Sequence, residues 1–533
     1  MDCTATSIPY SCTGYFSSLL IDYISGNEKL QPFYTHSTTI KGIQQAIEQR
    51  QFSPAGRQAL ITLLQQQYAG ITLSPKQQQN LQWLQEDNTF TICTAHQPNI
   101  FTGPLYFIYK IIHAIKLADV LNGKLTAQKF VPVYYMGSED ADLDELGYIF
   151  TDGYRRQWQT KQTGAVGRMK ADAALQEIIT GMHGQLSVLP FGNEILQLTA
   201  QCYASGSTIE QATFKFVHAL FQQFGLIILL PDRAGVKKQF APVIEKELLT
   251  GFSQKAVQHT MANFPAEYKI QAAGREINLF YLTDTARERI VLNDGRYSIN
   301  NTSISFSKDE ILQELQQHPE RFSPNVILRP VLQETILPNI AFIGGGGEIA
   351  YWLELKAVFT AANTPCPVLI ARNSFLLLEK KYNQQAEKLG LTDSDLFKTS
   401  TDILTTLVKR NGHFAEGLIP EKKQLSTIYE ALKKTAAATD TTLIRHINAI
   451  EQKALDKIDT LEQKLLKAVK RKFETEQQQV QKIKEVLFPN GSLQERTENF
   501  MPFYARYGAA FIQMIYSHSL TLEQEFCIIR INA

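Results

Sequence analysis

Four stretches of the chain gather side chains that could do chemistry on a small polar substrate. The first runs from His96 through Gln97, Asn99, Thr102 and Gly103 to Tyr106 and Lys110. A neutral imidazole such as His96 can act as a general base or can cap a loop by hydrogen bonding, and residue type alone leaves both readings open. Tyr106 and Lys110 are four residues apart, so on a helix they share a face and could reach a ligand held by the preceding loop. The second stretch, GSEDADLDEL from Gly137, puts Glu139, Asp140, Asp142, Asp144 and Glu145 within seven residues. Such a run could hold a divalent cation through hard oxygen ligands, bind a substrate amine, or form a solvated turn with acidic groups at a helix start. The third is Gly344, Gly345, Gly346 and Gly347, bracketed by Glu334 and Glu348, with Trp352 one turn further on. Four glycines in a row permit φ > 0 and close approach of a ligand to backbone, although a tight packing turn would also use glycine. They match neither the dinucleotide fingerprint nor the phosphate loop, so no particular nucleotide follows. Finally, Arg329 and Arg372 could each hold a carboxylate or phosphate with a bidentate fork, and Asn373 and Asp232 stand beside apolar runs.

These groups need a scaffold that brings them together. Strands are expected at 91–94, 129–136, 224–230, 335–343 and 368–371, and most of these runs are apolar without alternation, as strands covered on both faces should be. His96, Asn99 and Thr102, the Glu139 to Asp144 carboxylates, Asp232, the four glycines and Arg372 each follow one of these strands. Right-handed crossovers would place all such ends on one edge of a parallel sheet. The fold class is therefore α/β, a Rossmann-like parallel-sheet core with two insertions, plus a long α-helical coiled-coil C-terminal arm.

The organisation reads as follows along the chain. Residues 1–88 form an N-terminal helical segment. The core spans 89–375, interrupted at about 151–212 and 254–325, the second insertion containing a hairpin at Asn293, Asp294 and Gly295. Residues 376–491 are a helical coiled-coil domain, and 492–533 return to the body. From Leu443 to Leu487 apolar residues recur about every 3.7 positions, predicting one helix of roughly 45 residues and about 65 Å. A rod of that length cannot bury its stripe against a compact core, so it must pair with another helix, from this chain (421–438 is a candidate) or from a second subunit.

Composition bounds the rest. The chain has 533 residues, 44% apolar and 20% charged, which suits two or three globular domains. With 53 Lys plus Arg against 52 Asp plus Glu, no global electrostatic argument favours nucleic acid or a membrane surface. Between Glu421 and Phe488 the 14 basic and 10 acidic residues are a mixed surface whose default meaning is solvation. Residues 1–28 contain no Lys or Arg, so no signal-peptide start is expected, and no apolar run approaches a membrane span. The reading is a cytoplasmic protein. Six scattered cysteines without a CxxC pair predict free thiols, with Cys93 and Cys366 as small buried hydrophobes.

Four blocks in order, TAHQPNIFTGPLYFIYKI, GSEDADLDEL, RPVLQETILPNIAFIGGGGEIAYWLELK and VLIARNS, resemble the bacillithiol biosynthesis cysteine-adding enzymes, a family of cysteine ligases. The resemblance covers the whole chain. It implies amide bond formation between the carboxyl group of cysteine and the amino group of glucosaminyl-malate, the last step of bacillithiol biosynthesis, on a fold similar to class I synthetases. That chemistry needs a base for the amine, an anion cradle and oxyanion stabilisation. His96, Glu139, Asp140 and Asp142 are then the catalytic candidates. Arg329, Arg372 and the amides of Thr102 and Gly103 could hold carboxylates, and Gln97, Asn99, Tyr106, Lys110, Asp232, Glu334, Gly344 to Glu348, Trp352 and Asn373 complete the substrate site. A nucleotide such as ATP could supply the free energy of a ligase, yet His96 is followed by Gln97, Pro98 and Asn99 rather than the rest of a synthetase HIGH motif, and no KMSKS-like loop follows. No cofactor or metal is assigned. The partners expected are the two small substrates and a second copy of the chain through the arm. Two other readings stay open: a nucleotidyltransferase on a sugar or small acid, and a non-enzymatic dimeric coiled-coil scaffold.

Overall fold

The computed structural model describes residues 2–151, 153–411, 417–470 and 473–532. Five strands form a parallel sheet: β1 (Thr89–His96), β2 (Lys129–Met136), β3 (Ile227–Leu229), β4 (Asn339–Gly344) and β5 (Val368–Ala371). Their order across the sheet is β3-β2-β1-β4-β5. That order reverses between β1 and β4, and in open α/β sheets ligands bind outside the carboxyl ends at such a reversal. His96 ends β1 and Gly344 ends β4, so the two most site-like stretches meet at this crevice. The sheet is a rigid platform because both of its faces are covered. Phe90, Ile92, Phe130, Ile340, Ile343 and Ile370 pack with Ala114, Leu117 and Leu121 of the helix Tyr106–Lys124 and with Ile43 of the helix Ile40–Gln49. Each large apolar side chain buried in this way contributes roughly 1.5–3 kcal/mol.

Local chemistry sets the element boundaries. Ser74 and Gln77 close a capping box on the helix Pro75–Trp83, and Thr208 with Gln211 does the same on Ile209–Phe221. Three boundaries differ from the sequence expectation. The run from residue 335 is not all strand: Arg329–Ile336 is a helix, and β4 begins only at Asn339, because Pro338 disfavours helical backbone at Leu337. β3 is shorter than 224–230, since Gln222–Phe224 is a 3-10 turn ended by Gly225 at φ 79°. Pro104, a residue type favoured at the first helical position and so expected to open the following helix, does not do so. It forms an isolated antiparallel bridge with Asn499, and the helix starts at Tyr106.

The first insertion, between β2 and β3, holds the hairpin Tyr148–Thr151 with Tyr154–Gln157 and the helices Ala173–Leu186, Gly192–Cys202 and Ile209–Phe221. The second, between β3 and β4, carries an antiparallel sheet in which Arg287–Asn293 pairs with Arg296–Ile299. Asp294 at φ 48° and Gly295 at φ 78° make the tight turn that the Asp-Gly pair predicts. The N-terminal segment is helical from Ser18 onward but opens with a strand, Cys3–Ile8, which periodicity did not reveal.

The chain divides into two compact units, one running to Leu376 and including Leu493–Ile529, the other comprising Leu377–Ser492 with Arg530–Asn532. In the second unit the arm is a helical hairpin. Ile419–Thr439 lies antiparallel to Leu443–Lys470, with Lys422 on Asp459 and Glu462 at 2.6 and 2.5 Å and Lys433 on Glu451 at 2.6 Å. The single helix expected from 443 to 487 is instead two among the described residues, Leu443–Lys470 and Glu474–Leu487, with 471–472 outside them. Phe473, at φ −108° and ψ 36°, has left the helical region, and Val480 turns inward to pack on Ile403 and Leu407. No helix among the described residues is long and apolar enough to cross a membrane.

Candidate functional site

The loop after β1 is held in an uncommon conformation. Phe101, Thr102 and Gly103 all have positive φ, at 51°, 72° and 63°, which costs energy for the two residues that carry a Cβ. Asn499 secures them: its Nδ2 donates to the carbonyls of Phe101 at 2.9 Å and Gly103 at 2.5 Å, while its Oδ1 accepts from the Met501 amide. The Phe101 amide donates to the Tyr203 hydroxyl. The amides of Thr102 and Gly103 donate to the carbonyls of Asn99 and Ile100, so they are not available to hold a substrate carboxylate as the sequence had suggested. What the loop leaves open is side-chain chemistry. His96 Nε2, Asn99 Oδ1 and Thr102 Oγ1 are buried without a hydrogen-bond partner, as is Asn373 Oδ1. Buried polar atoms are normally paired, so these four at one sheet edge are free to bond a ligand.

His96 sits edge-on to Tyr106 at 5.4 Å and to Phe107 at 5.5 Å. Burial, reinforced by the charges of Lys110 and Arg372, holds its imidazole well below the usual histidine range. The ring is therefore a neutral proton acceptor at pH 7. His113, on the next helix, plays a different part: it accepts from the Asn373 amide through Nδ1 and meets the Thr521 carbonyl through Nε2, and burial lowers it to about 4. It is a structural connector.

The glycine turn works by space and not by left-handed backbone. None of Gly344 to Gly347 has positive φ, so the left-handed freedom that glycine permits is not what the turn uses. A Cβ on Gly344 would lie 2.7 Å from the Phe342 ring, and one on Gly346 would lie 2.9 Å from Leu20. At Gly345 the added atom would face the Glu348 carboxylate at 3.4 Å and Arg372 Nε at 3.7 Å, and at Gly347 it would meet nothing. Glu348 reaches back to the Gly345 amide at 2.8 Å and pairs with Lys110 at 2.6 Å. Lys110 also donates to the Ala95 carbonyl at 2.5 Å, so this buried cation ties the end of β1 to the helix Gly346–Leu353. Arg372 is similarly occupied. It pairs with buried Glu495 at 2.7 Å and donates to Ser374 Oγ and the Asn373 carbonyl, leaving Nε toward Gly345.

The carboxylates past β2 go to separate partners. Glu139 pairs with buried Lys237 at 2.8 Å, Asp140 accepts from Gln97 at 3.2 Å and from the Ala141 amide, and Asp142 caps the short helix Leu143–Leu146. Among the described residues no group of three or more His, Cys, Asp or Glu could hold a metal ion. Asp232, after β3, is gripped by Arg168 through two bonds of 2.7 and 2.8 Å.

The full length of the chain has counterparts. Residues 1–373 match the model of the bacillithiol biosynthesis BshC N-terminal Rossmann-like domain, and residues 375–531 match that of the BshC C-terminal coiled-coil domain. The chain belongs to the BshC family. A relative from Flavobacterium johnsoniae, named "Putative cysteine ligase BshC", is 40% identical over 526 residues, covering 98% of this chain and 99% of its own. A relative of the same name from Bacillus cereus is 26% identical over 530 residues, covering 96% and 98%. A solved arginyl-tRNA synthetase from Campylobacter jejuni, 10% identical and covering 80% of this chain and 92% of its own, superposes with a TM-score of only 0.22.

In this BshC chain two of the expected site residues stand elsewhere. Glu334 lies at the amino end of β4, bonded to Asn339 at 2.7 Å and paired with Arg50 at 3.5 Å, and burial, opposed by Arg50, raises it to about 7. Trp352 stacks on Phe342 at 4.1 Å inside the core. Arg329 remains at the site, its guanidinium bonded to Tyr351 Oη at 2.9 Å and Gln333 Oε1 at 3.1 Å. Sequence reasoning missed Asn499, Glu495, Lys237, Arg168 and Tyr203. No local pattern marks them: Asn499 is 396 positions from Gly103.

Proposed function

We propose that this BshC-family chain is a ligase that joins the carboxyl group of cysteine to the amino group of glucosaminyl-malate, completing bacillithiol biosynthesis. The observation that carries the reading on the structural side is the neutral His96, its Nε2 without a partner, at the reversal point of the sheet, beside Asn99 Oδ1 and Thr102 Oγ1, which are likewise free while Asn99 Nδ2 donates to the Glu145 carbonyl. Full-length similarity to relatives named "Putative cysteine ligase BshC" supports cysteine as one of the two substrates. An amine attacks only when unprotonated, and a buried imidazole with a free nitrogen can take its proton as the C–N bond forms and one carboxyl oxygen leaves, on the phosphoryl group of a nucleotide where one activates the acid and otherwise as water. The base role, shared in the sequence reading with Glu139, Asp140 and Asp142, falls to His96 because those carboxylates are committed to Lys237, Gln97 and a helix cap. The first-turn amides of the helix from Gly346 have no intrahelical acceptor and can stabilise a tetrahedral oxyanion.

Two further expectations belong to this proposal. The protein forms a homodimer through its arm, where Ile428, Leu432, Leu443, Ile450, Leu461 and Leu465 are exposed. It works in the cytoplasm, a reducing compartment that suits cysteines free of disulfides among the described residues. The deciding experiment is deletion in the host. Mass spectrometry of thiol-labelled extracts should show glucosaminyl-malate accumulating and bacillithiol gone, and normal bacillithiol in the deletion strain would end the ligase reading.

A further inference from the structure

We infer that Arg329 is the anchor for a carboxylate of the acceptor substrate, a malyl-type dicarboxylate, and that Lys110 and Arg372 are positioning residues. The inference rests on the ligase reading for the identity of the substrate. Its starting point is the pairing of charges at the carboxyl edge of the sheet. Lys110, Arg168, Arg233, Lys237 and Arg372 each meet a carboxylate, in Glu348, Asp232, Glu210, Glu139 and Glu495 respectively. Arg287 approaches Asp140 at 3.9 Å. Arg329 forms no ion pair with any described residue, and its two side-chain bonds go to neutral oxygens, those of Gln333 and Tyr351. Arg496 also forms no ion pair with any described residue, but it is exposed, and beyond its bond to the Tyr15 carbonyl it lies only over the Phe16 ring, 5.4 Å from the centroid.

The setting of Arg329 suits capture of an anion. Its guanidinium carbon lies 5.7 Å from the centroid of the Tyr135 ring, which belongs to β2, and 6.0 Å from that of Phe342, which belongs to β4. Those strands flank β1, whose last residue is His96. A guanidinium carries five N–H donors, and the two bonds to Gln333 and Tyr351 fix its plane while leaving others for a bidentate carboxylate. Glu348 acts on Arg329 only at longer range, and a cation partly withdrawn from water without a carboxylate in direct contact gains from a ligand that brings one. Lys110 and Arg372 cannot take this part without abandoning Glu348 and Glu495. The competing account makes Arg329 only a brace between the helices Arg329–Ile336 and Gly346–Leu353.

The two accounts separate in a binding measurement on the full chain. L-malate is titrated calorimetrically into the wild type, Arg329→Gln and Arg329→Lys, with inorganic phosphate titrated in parallel and the melting temperature recorded for each. The expected result is saturable malate binding to the wild type, a loss of tenfold or more in Arg329→Gln with the melting temperature held within a few degrees, and a smaller loss in Arg329→Lys, which keeps the charge but not the fork. Malate binding that is equal in the wild type and Arg329→Gln, or absent in the wild type, overturns the assignment. Phosphate binding that depends on Arg329 while malate binding does not would likewise overturn it, in favour of a phosphate site. Because binding is read without turnover, these failures are distinct from failure of the ligase reading, which the deletion strain tests.

Discussion

At the scale of single residues, what distinguishes this edge of the sheet is how few side chains are left unspent. Most charged groups that a motif search would nominate are already paired within the protein, and a paired group contributes to architecture first. His96 is the exception among proton acceptors. Its imidazole lies well below the ordinary histidine range through burial, so the unprotonated form persists on the acid side of neutrality. The acid limb of kcat/KM due to this group therefore falls below pH 6.5. His96→Gln should lower kcat/KM by roughly 10²–10⁴-fold, the usual worth of a general base, with the melting temperature almost unchanged since one neutral side chain replaces another. Steady-state kinetics from pH 5 to 8 checks both statements. Wild-type turnover in the variant would remove His96 from the mechanism.

At the scale of elements, the loop from Phe101 to Gly103 stores backbone strain that a remote residue restrains. Asn499 satisfies two carbonyls at once, and Leu105 donates to the Glu498 carbonyl at 2.7 Å beside it. Asn499→Ala strands both carbonyls in a buried place, a cost of about 1–3 kcal/mol. The expected signature is local: amide exchange at 101–105 should quicken, while the strands Thr89–His96 and Lys129–Met136 keep their protection. Hydrogen-exchange mass spectrometry reads this directly. Uniform loosening of the sheet and loop together would mean that Asn499 supports the fold in general and not this loop.

At the scale of the whole molecule, the arm poses the question of assembly. Its two helices already pair with each other through Lys422 and Lys433, yet seven large apolar side chains on them, counting Ile419 at the start of the first, stay exposed. Exposed apolar surface of this kind marks an interaction face. Light scattering at micromolar concentration should return about twice the 60.2 kDa of the chain. The pair of substitutions Leu461→Glu and Leu465→Glu should return the monomer mass without lowering the melting temperature, and a wild-type monomer would refute the dimer.

Much of this was legible in the residues themselves. The apolar runs of Lys129–Met136 and Val368–Ala371, the Asp-Gly turn after Asn293 and the glycine turn between a strand and a helix all follow from short-range rules of burial and backbone freedom, and the structure shows each of them. Parallel βα succession also sufficed to bring His96 and Gly344 to one edge. Tertiary structure alone decided which of the nominated groups stay free. Lys110, Arg372, Glu139 and Asp232 are neutralised by partners distant in sequence, as with Arg372 and Glu495, 123 positions apart. Glu334 lies at the opposite end of β4 because part of the apolar run is a helix, Arg329–Ile336, which stops before Pro338. Charge pairing depends on distances in space, and one sequence without its fold contains none of them. Periodicity could announce a long apolar stripe in the arm, but whether that stripe folds back on its own chain is settled by packing, which placed Ile419–Thr439 against Leu443–Lys470.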